Sequence, residues 1–182
     1  MYATINFSDK YLLSKKFKDY KALPIYTAVA GLLVGLIVFV SSGFPLLGVK
    51  DASIILITVV ITTITQIIYF QALGEEETSN IIILFQTLPI ISLIMATVVL
   101  KQPLHQSQII PFLFIMSGAF FVSLSESKQK LRLSKSFYLI LLYNVLWASL
   151  GILIKYVSGS VPFRVIISYE GIGMGLGGLC IY

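Results

Sequence analysis

The chain has 182 residues, of which 57% are hydrophobic and only 12% charged, and its mean hydropathy is +0.94. So little polar surface does not cover a water-soluble domain of this size, which excludes water as the main solvent. The net charge of +5 does not indicate a nucleic-acid partner, because the basic residues gather in two loop clusters rather than on one folded face.

No charged residue occurs in residues 22–49, 52–74, 78–100, 102–125 or 136–154. Each window is long enough to cross a bilayer, since about 20 apolar residues rising about 1.5 Å each cover a hydrocarbon core of about 30 Å. The window 52–74 holds twelve Ile, Leu, Val and Phe residues, which together favour insertion by roughly 4 to 7 kcal/mol, more than its Thr and Gln side chains oppose it. Many of these residues are β-branched, but they do not alternate as the strands of a membrane barrel must. A helix satisfies its own backbone in lipid, so the expected fold is all-α, a polytopic bundle of transmembrane helices.

In chain order, residues 1–13 make a short apolar stretch interrupted by Asp9 and Lys10, read as the second half of a span. The basic loop 14–21 leads to span 2 (22–43), with Pro24 in its first turn, where a missing N–H costs little. A turn at 43–51 precedes span 3 (52–74), which ends at Gly74 before Glu75, Glu76 and Glu77. Span 4 (79–100) contains Pro89, which removes a backbone hydrogen bond and predicts a bend. Span 5 (108–125) begins near Pro111, the charged stretch 126–135 follows, span 6 covers 136–157, and span 7 starts near Pro162. The clusters Lys10, Lys15, Lys16, Lys18, Lys21 and Lys128, Lys130, Arg132, Lys135 both follow odd-numbered spans and so share one side, cytoplasmic by the positive-inside rule. No basic segment followed by an apolar stretch and a small-residue cleavage site opens the sequence, so a removable signal peptide is not expected. The single Cys180 excludes an intramolecular disulfide and a multi-cysteine metal site.

The sequence also repeats itself. Tyr2-Ala3-Thr4 and Lys10-Tyr11-Leu12 recur with the same gap as Trp147-Ala148-Ser149 and Lys155-Tyr156-Val157, an offset of 145. Gly31 and Gly35 of span 2 correspond to Gly171 and Gly175 of span 7 at an offset of 140. Five spans per unit is an odd number, so the second unit is expected to be inverted relative to the first. The expected organisation is a first unit over 1–127 with a shortened first helix, a basic linker at 128–135, and the start of a second unit over 136–182. The whole is expected to be part of a ten-span protein.

The residues Tyr69-Phe70-Gln71-Ala72-Leu73, Thr78-Ser79-Asn80, Pro89, the stretch Leu100 to Gln108, and Gly118 together resemble the EamA family of the drug/metabolite transporter superfamily. Asn6-Phe7-Ser8-Asp9-Lys10-Tyr11-Leu12-Leu13 is similar to the end of that family's first span. The order and spacing of these loose motifs carry the likeness over nearly the whole chain. Where the family usually has a glutamate after span 4, this sequence has Gln102, which leaves that position uncharged. Members usually begin in the cytoplasm, which puts the lysine clusters outside, opposite to the charge rule. The resemblance implies a solute transporter that works by alternating access, with its site near the bilayer midplane between the two units.

Polar residues inside spans mark a pathway by default. In span 3, Thr62, Gln66 and Tyr69 share one face, which suits either a cavity lining or hydrogen bonds between helices. Gln86 precedes Pro89 by three residues, placing an amide near the carbonyl that the proline frees. In span 6, Asn144, Trp147, Gly151 and Lys155 share a stripe: an amide, an aromatic wall, a close-packing site, and a cation that alternatively snorkels to the interface. Asn6 and Asp9 share a face in span 1, and Asp9 either contacts solute or pairs with a lysine in an aqueous mouth. Glu170 lies past Arg164 in span 7, where a carboxylate at mid-membrane costs about 3 kcal/mol unless paired or protonated. It is read either as a proton-coupling group or as the partner of Lys155 or Arg164.

Gly173, Gly175 and Gly178 satisfy the spacing of a dinucleotide fingerprint, but no strand precedes them and no acidic residue follows. Gly171 with Gly175, and Gly173 with Gly177, instead make two small-residue pairs for close helix contact. Asn6-Phe7-Ser8 is a formal glycosylation sequon that lies where lipid buries it. With His105 the sole histidine, the parts of a catalytic triad, a metal site or a phosphate loop are lacking, so no enzyme activity and no cofactor are expected. The expected partners are a small-molecule solute and the lipid bilayer, in the plasma membrane crossed several times. The competing class is a non-catalytic membrane scaffold or assembly subunit.

Overall fold

The computed structural model describes residues 9, 11, 22–75, 78–101, 109–110, 112–114, 117–118 and 135–181. Among them there is no strand, and six helices form the bundle: α1 (Ala22–Ser41), α2 (Val49–Glu75), α3 (Thr78–Phe85), α4 (Leu88–Val99), α5 (Lys135–Val157) and α6 (Phe163–Ile181). The described residues of span 5, 109–110, 112–114 and 117–118, are helical as well. Residues 1–8, 12–21, 102–108 and 119–134, which carry Asn6, the basic loops and Gln102, lie outside the described residues.

The helix ends follow from local chemistry. At the end of α1, Phe44 N–H donates to Phe39 O at 3.3 Å and Gly43 N–H to Val40 O at 3.1 Å. Gly43 has φ +77°, the left-handed turn that closes a helix this way and favours glycine. Helix α2 has 27 residues, about 40 Å at 1.5 Å per residue, because it begins before the apolar window and takes Lys50 and Asp51 into its first turn. Pro162 accepts hydrogen bonds from Val165 and Ile166 and opens α6. Span 4 is divided rather than bent. Pro89 has no N–H for Phe85 O, so α3 stops, Gln86 and Thr87 turn with bonds to Ile83 O and Leu84 O (both 3.1 Å), and α4 starts at Leu88.

Helices α1 and α6 meet backbone to backbone. A Cβ on Gly35 would stand 2.6 Å from Ile172 N and 2.9 Å from Ser168 O, and one on Gly171 would stand 2.7 Å from Gly31 O. One on Gly175 would stand 3.0 Å from Ala28 O and overlap Leu32. Residue 35 thus lies beside 168–172 while residues 28 and 32 lie beside 175, so the two helices run antiparallel. The contacts also exchange in pairs: with the offset of 140, Gly35 on Ser168 and Ile172 mirrors Gly175 on Ala28 and Leu32. The other small face of α6 is turned to α2, where Gly173 meets Val59 and Gly177 meets Thr63 at 3.0 Å. Alternate small residues therefore seat α6 between two neighbours.

Helix α2 runs antiparallel to α5. At one end Lys135 Nζ lies 3.0 Å from Glu75 Oε1, and at the other Ser160 Oγ donates to Asp51 Oδ1 at 3.0 Å. Both ends of the pair are exposed, so each tie is worth at most about 1 kcal/mol. Two apolar cores fill the space between. Ile55, Val59, Val157, Val161, Val165 and Ile166 join the start of α2 to the α5–α6 corner. Phe70, Ala72, Leu73, Ile81, Leu84 and Ile140 join its end to α3 and the start of α5.

The outside of the bundle is apolar. Ile37, Leu33 and Val40 on α1 and Val98 and Val99 on α4 are all more than half exposed, a surface stable in lipid rather than in water. By length and composition α2 and α5 can each cross a membrane, and α1 and α4 belong to shorter apolar stretches at Ile25–Ser41 and Ile83–Val99.

The glycine contact supplies a direct stability test. Gly35→Ala places a methyl group against backbone atoms that have no free space, and is expected to cost about 1–3 kcal/mol. At Gly151 nothing among the described residues lies within 4 Å of an added Cβ, so Gly151→Ala is expected to leave stability unchanged or raise it slightly. Thermal unfolding in detergent micelles compares the two, and equal midpoints would show that the α1–α6 approach contributes nothing.

Candidate functional site

Helix α2 carries a polar stripe. Thr58, Thr62, Gln66 and Tyr69 are spaced by four, four and three residues, so they stack along one face. A carboxylate stands at each end. Tyr69 OH donates to Asp9 Oδ2 at 2.9 Å. At the other end Glu170 of α6 has Thr58 as its hydrogen-bond neighbour. The Thr58 hydroxyl also reaches Ile55 O at 2.8 Å, so its single proton serves one acceptor at a time. Between them, Gln66 accepts from Thr27 Oγ1 at 3.4 Å and donates from Nε2 to Met174 Sδ at 3.2 Å. The stripe therefore faces the place where α1, α2 and α6 converge.

Among the described residues, three buried side-chain polar atoms have no hydrogen-bond partner: Thr62 Oγ1 and Glu170 Oε1 at the stripe, and Asn144 Oδ1 on α5. An unsatisfied buried group costs about 1–3 kcal/mol, and native structures hold few of them. Gln66 and Tyr69 are engaged in contacts between helices. The Thr62 hydroxyl, one turn from Gln66, has no hydrogen-bond partner among the described residues.

Tyr69 also belongs to a cluster of rings drawn from three helices. Its centroid lies 6.0 Å from Phe85 of α3 and 6.1 Å from Tyr143 of α5. Phe85 and Tyr143 are 5.1 Å apart, and Tyr143 stacks on Trp147 at 5.6 Å with an interplanar angle of 8°. All four rings and Asp9 are half-buried, with Tyr69 and Phe85 backed by the apolar core at Phe70, Leu84 and Ile140.

The break between α3 and α4 is held by Asn144, which is fully buried on α5. Its Nδ2 donates to Leu84 O at 3.0 Å and to Thr87 Oγ1 at 2.8 Å, while Thr87 Oγ1 donates to Leu84 O at 2.8 Å. The amide at the broken turn thus comes from across the bundle. Gln86, expected to supply it, is half-buried in the turn itself.

Of the residues singled out in the sequence, Asp9, Tyr69 and Trp147 come together through the rings, and Asn144 joins them at the break. Gln66 and Glu170 occupy the same stripe further along α2. Lys155 is exposed in the last turn of α5, two turns beyond Trp147, and among the described residues Thr58 is a hydrogen-bond neighbour of Glu170's carboxylate. Asn6 lies outside the described residues. Phe85, Thr87, Tyr143 and Met174 were not anticipated. Tyr143 lies one turn before Trp147 and was findable from that spacing, whereas nothing distinguishes Phe85 among twelve phenylalanines. Among the described residues no three His, Cys, Asp or Glu side chains gather as metal ligands.

Comparison with known proteins agrees with this architecture. A family model described as the EamA-like transporter family matches residues 1–124. No curated protein and no solved structure matches the chain.

The hydrogen bond at the broken turn is measurable. In a double-mutant cycle of Asn144→Ala and Thr87→Val, unfolding free energies in detergent are expected to give a coupling of about 0.6 to 1.7 kcal/mol, the range for polar contacts between membrane helices. Simple additivity would mean that the two side chains do not interact.

Proposed function

This chain belongs to the EamA-like transporter family, whose members are membrane-integral transporters, and from that premise we propose that it moves a small organic solute by alternating access across the plasma membrane, which it crosses several times. The observation that carries the reading is the polar stripe of α2 with unsatisfied atoms beside it. Thr62, Glu170 and Asn144 each offer a buried polar atom without a partner, and a solute passing between the helices can satisfy them in turn. The pairwise exchange of contacts between α1 and α6 supports two units, 1–127 and 136–182, joined by the basic linker 128–135 and inverted relative to one another. In this reading the solute site lies between the units, where α2 faces α5 and α6.

Glu170 serves as the coupling group. A carboxylate held at mid-membrane with one oxygen unsatisfied exchanges a proton for solute more readily than a paired one does.

Proteoliposomes of the full-length protein are expected to show saturable solute flux. Glu170→Gln is expected to lower proton-driven uptake at least about tenfold, the loss of roughly 1.4 kcal/mol of coupling, while solute exchange without a proton gradient persists. Unchanged proton-driven uptake in that variant would remove Glu170 from coupling. Absence of flux across a broad solute panel would favour a membrane scaffold whose polar groups serve packing alone.

A further inference from the structure

We propose that the ring cluster and Asp9 form a binding site for an organic cation, an ammonium group carried on an apolar body; the inference rests on the solute-transport reading above and specifies its substrate class. Tyr69 links the two parts of the site, since its ring belongs to the cluster and its hydroxyl donates to Asp9 Oδ2 at 2.9 Å. Aromatic faces carry negative potential and attract a cation within about 6 Å of their centroids. Here Tyr69, Phe85, Tyr143 and Trp147 follow one another at centroid separations of 5.1 to 6.1 Å, and all remain half-buried, so the cluster is not sealed inside the core.

Asp9 adds the formal charge. Among the described residues no lysine or arginine pairs with it: the ion pair there joins Lys135 to Glu75 at the bundle's end. A neutral solute would leave this carboxylate uncompensated in a low-dielectric setting, and an anion would be repelled by both the acid and the π faces. A cation neutralises the acid and gains the ring faces together. Its apolar body is matched by the same rings and by the adjoining core at Phe70 and Leu84. Primary and quaternary ammonium groups share this chemistry. A quaternary group carries no N–H donor, so it isolates the contribution of charge and rings from that of hydrogen bonding.

Trp147 stacks on Tyr143 within the cluster, so the part of the fluorescence that a Trp147→Phe variant removes reports on the site without a label. Three probes of nearly equal shape differ in charge: choline, its uncharged carbon analogue 3,3-dimethylbutan-1-ol, and the anion 3,3-dimethylbutanoate. Titrated into the full-length protein in nonionic detergent, choline is expected to change Trp147 emission saturably, with the alcohol at least about tenfold weaker and the anion without saturation. Asp9→Asn is expected to bring choline to the level of the alcohol. Asp9→Glu restores the preference, and circular dichroism of both variants reports whether the helices are retained. If the alcohol binds as tightly as choline, or the anion binds better, or well-folded Asp9→Asn titrates like the original, the cation assignment is overturned while a solute site remains. No saturable response to any probe would overturn the solute site at these rings as well.

Discussion

The closest constraint in this fold is the contact of α1 with α6, where glycines let two backbones touch. Lipid chains are as apolar as leucine, so helices in a bilayer gain nothing from hiding leucine on one another; they gain from dispersion at close range. Gly35, Gly171 and Gly175 supply that closeness, since a Cβ on each would lie within about 3 Å of backbone, while one on Gly31 would meet the end of the Met174 side chain. Because α6 presents Gly173 and Gly177 to α2 on its other face, the same helix fixes the position of the polar stripe. Thr58 is thereby brought to Glu170 and Gln66 to Met174.

The second constraint is Pro89. A proline within a span leaves backbone groups unsatisfied, which lipid tolerates only if neighbouring helices supply partners. Here Thr87 bonds back to Leu84 O and Asn144 reaches it from α5. The break sets Phe85 beside Tyr143 and Tyr69. Proline chemistry in one helix and an amide in another therefore assemble the ring cluster.

Much of this was legible in the sequence because lipid imposes simple rules. The charge-free windows read as helices, and α2, α5 and α6 begin within three residues of the expected limits. The face shared by Thr62, Gln66 and Tyr69 followed from helical spacing, as did the small-residue pairs of α6. What each face meets did not follow. Periodicity gives the direction of a side chain around its own axis and says nothing of which helix stands opposite. Gln86 was therefore expected to supply an amide at the proline break, where Asn144 reaches Leu84 O from α5, and Gly151 was given a packing role though nothing described lies within 4 Å of its missing Cβ. Aromatic residues fail for a further reason. With ten tyrosines and twelve phenylalanines, rings are too common in an apolar chain for any one to signal a site before tertiary contacts select it.

Under the proposed transport reading, the distribution of satisfied and unsatisfied groups has a physical meaning. A bundle selected for rigidity alone gains by pairing every buried polar atom, as the Asn144 amide nitrogen is paired at the broken turn. Among the described residues the same side chain finds no partner for its oxygen, nor does Glu170 for one carboxylate oxygen or Thr62 for its hydroxyl. A ligand shifts a conformational equilibrium only by its differential affinity for the two states. Groups left unsatisfied in one state are what give a solute that difference, because binding supplies the bonds that the empty protein lacks. Partial satisfaction along α2, costly for a scaffold, is what a protein needs if solute binding is to change its shape.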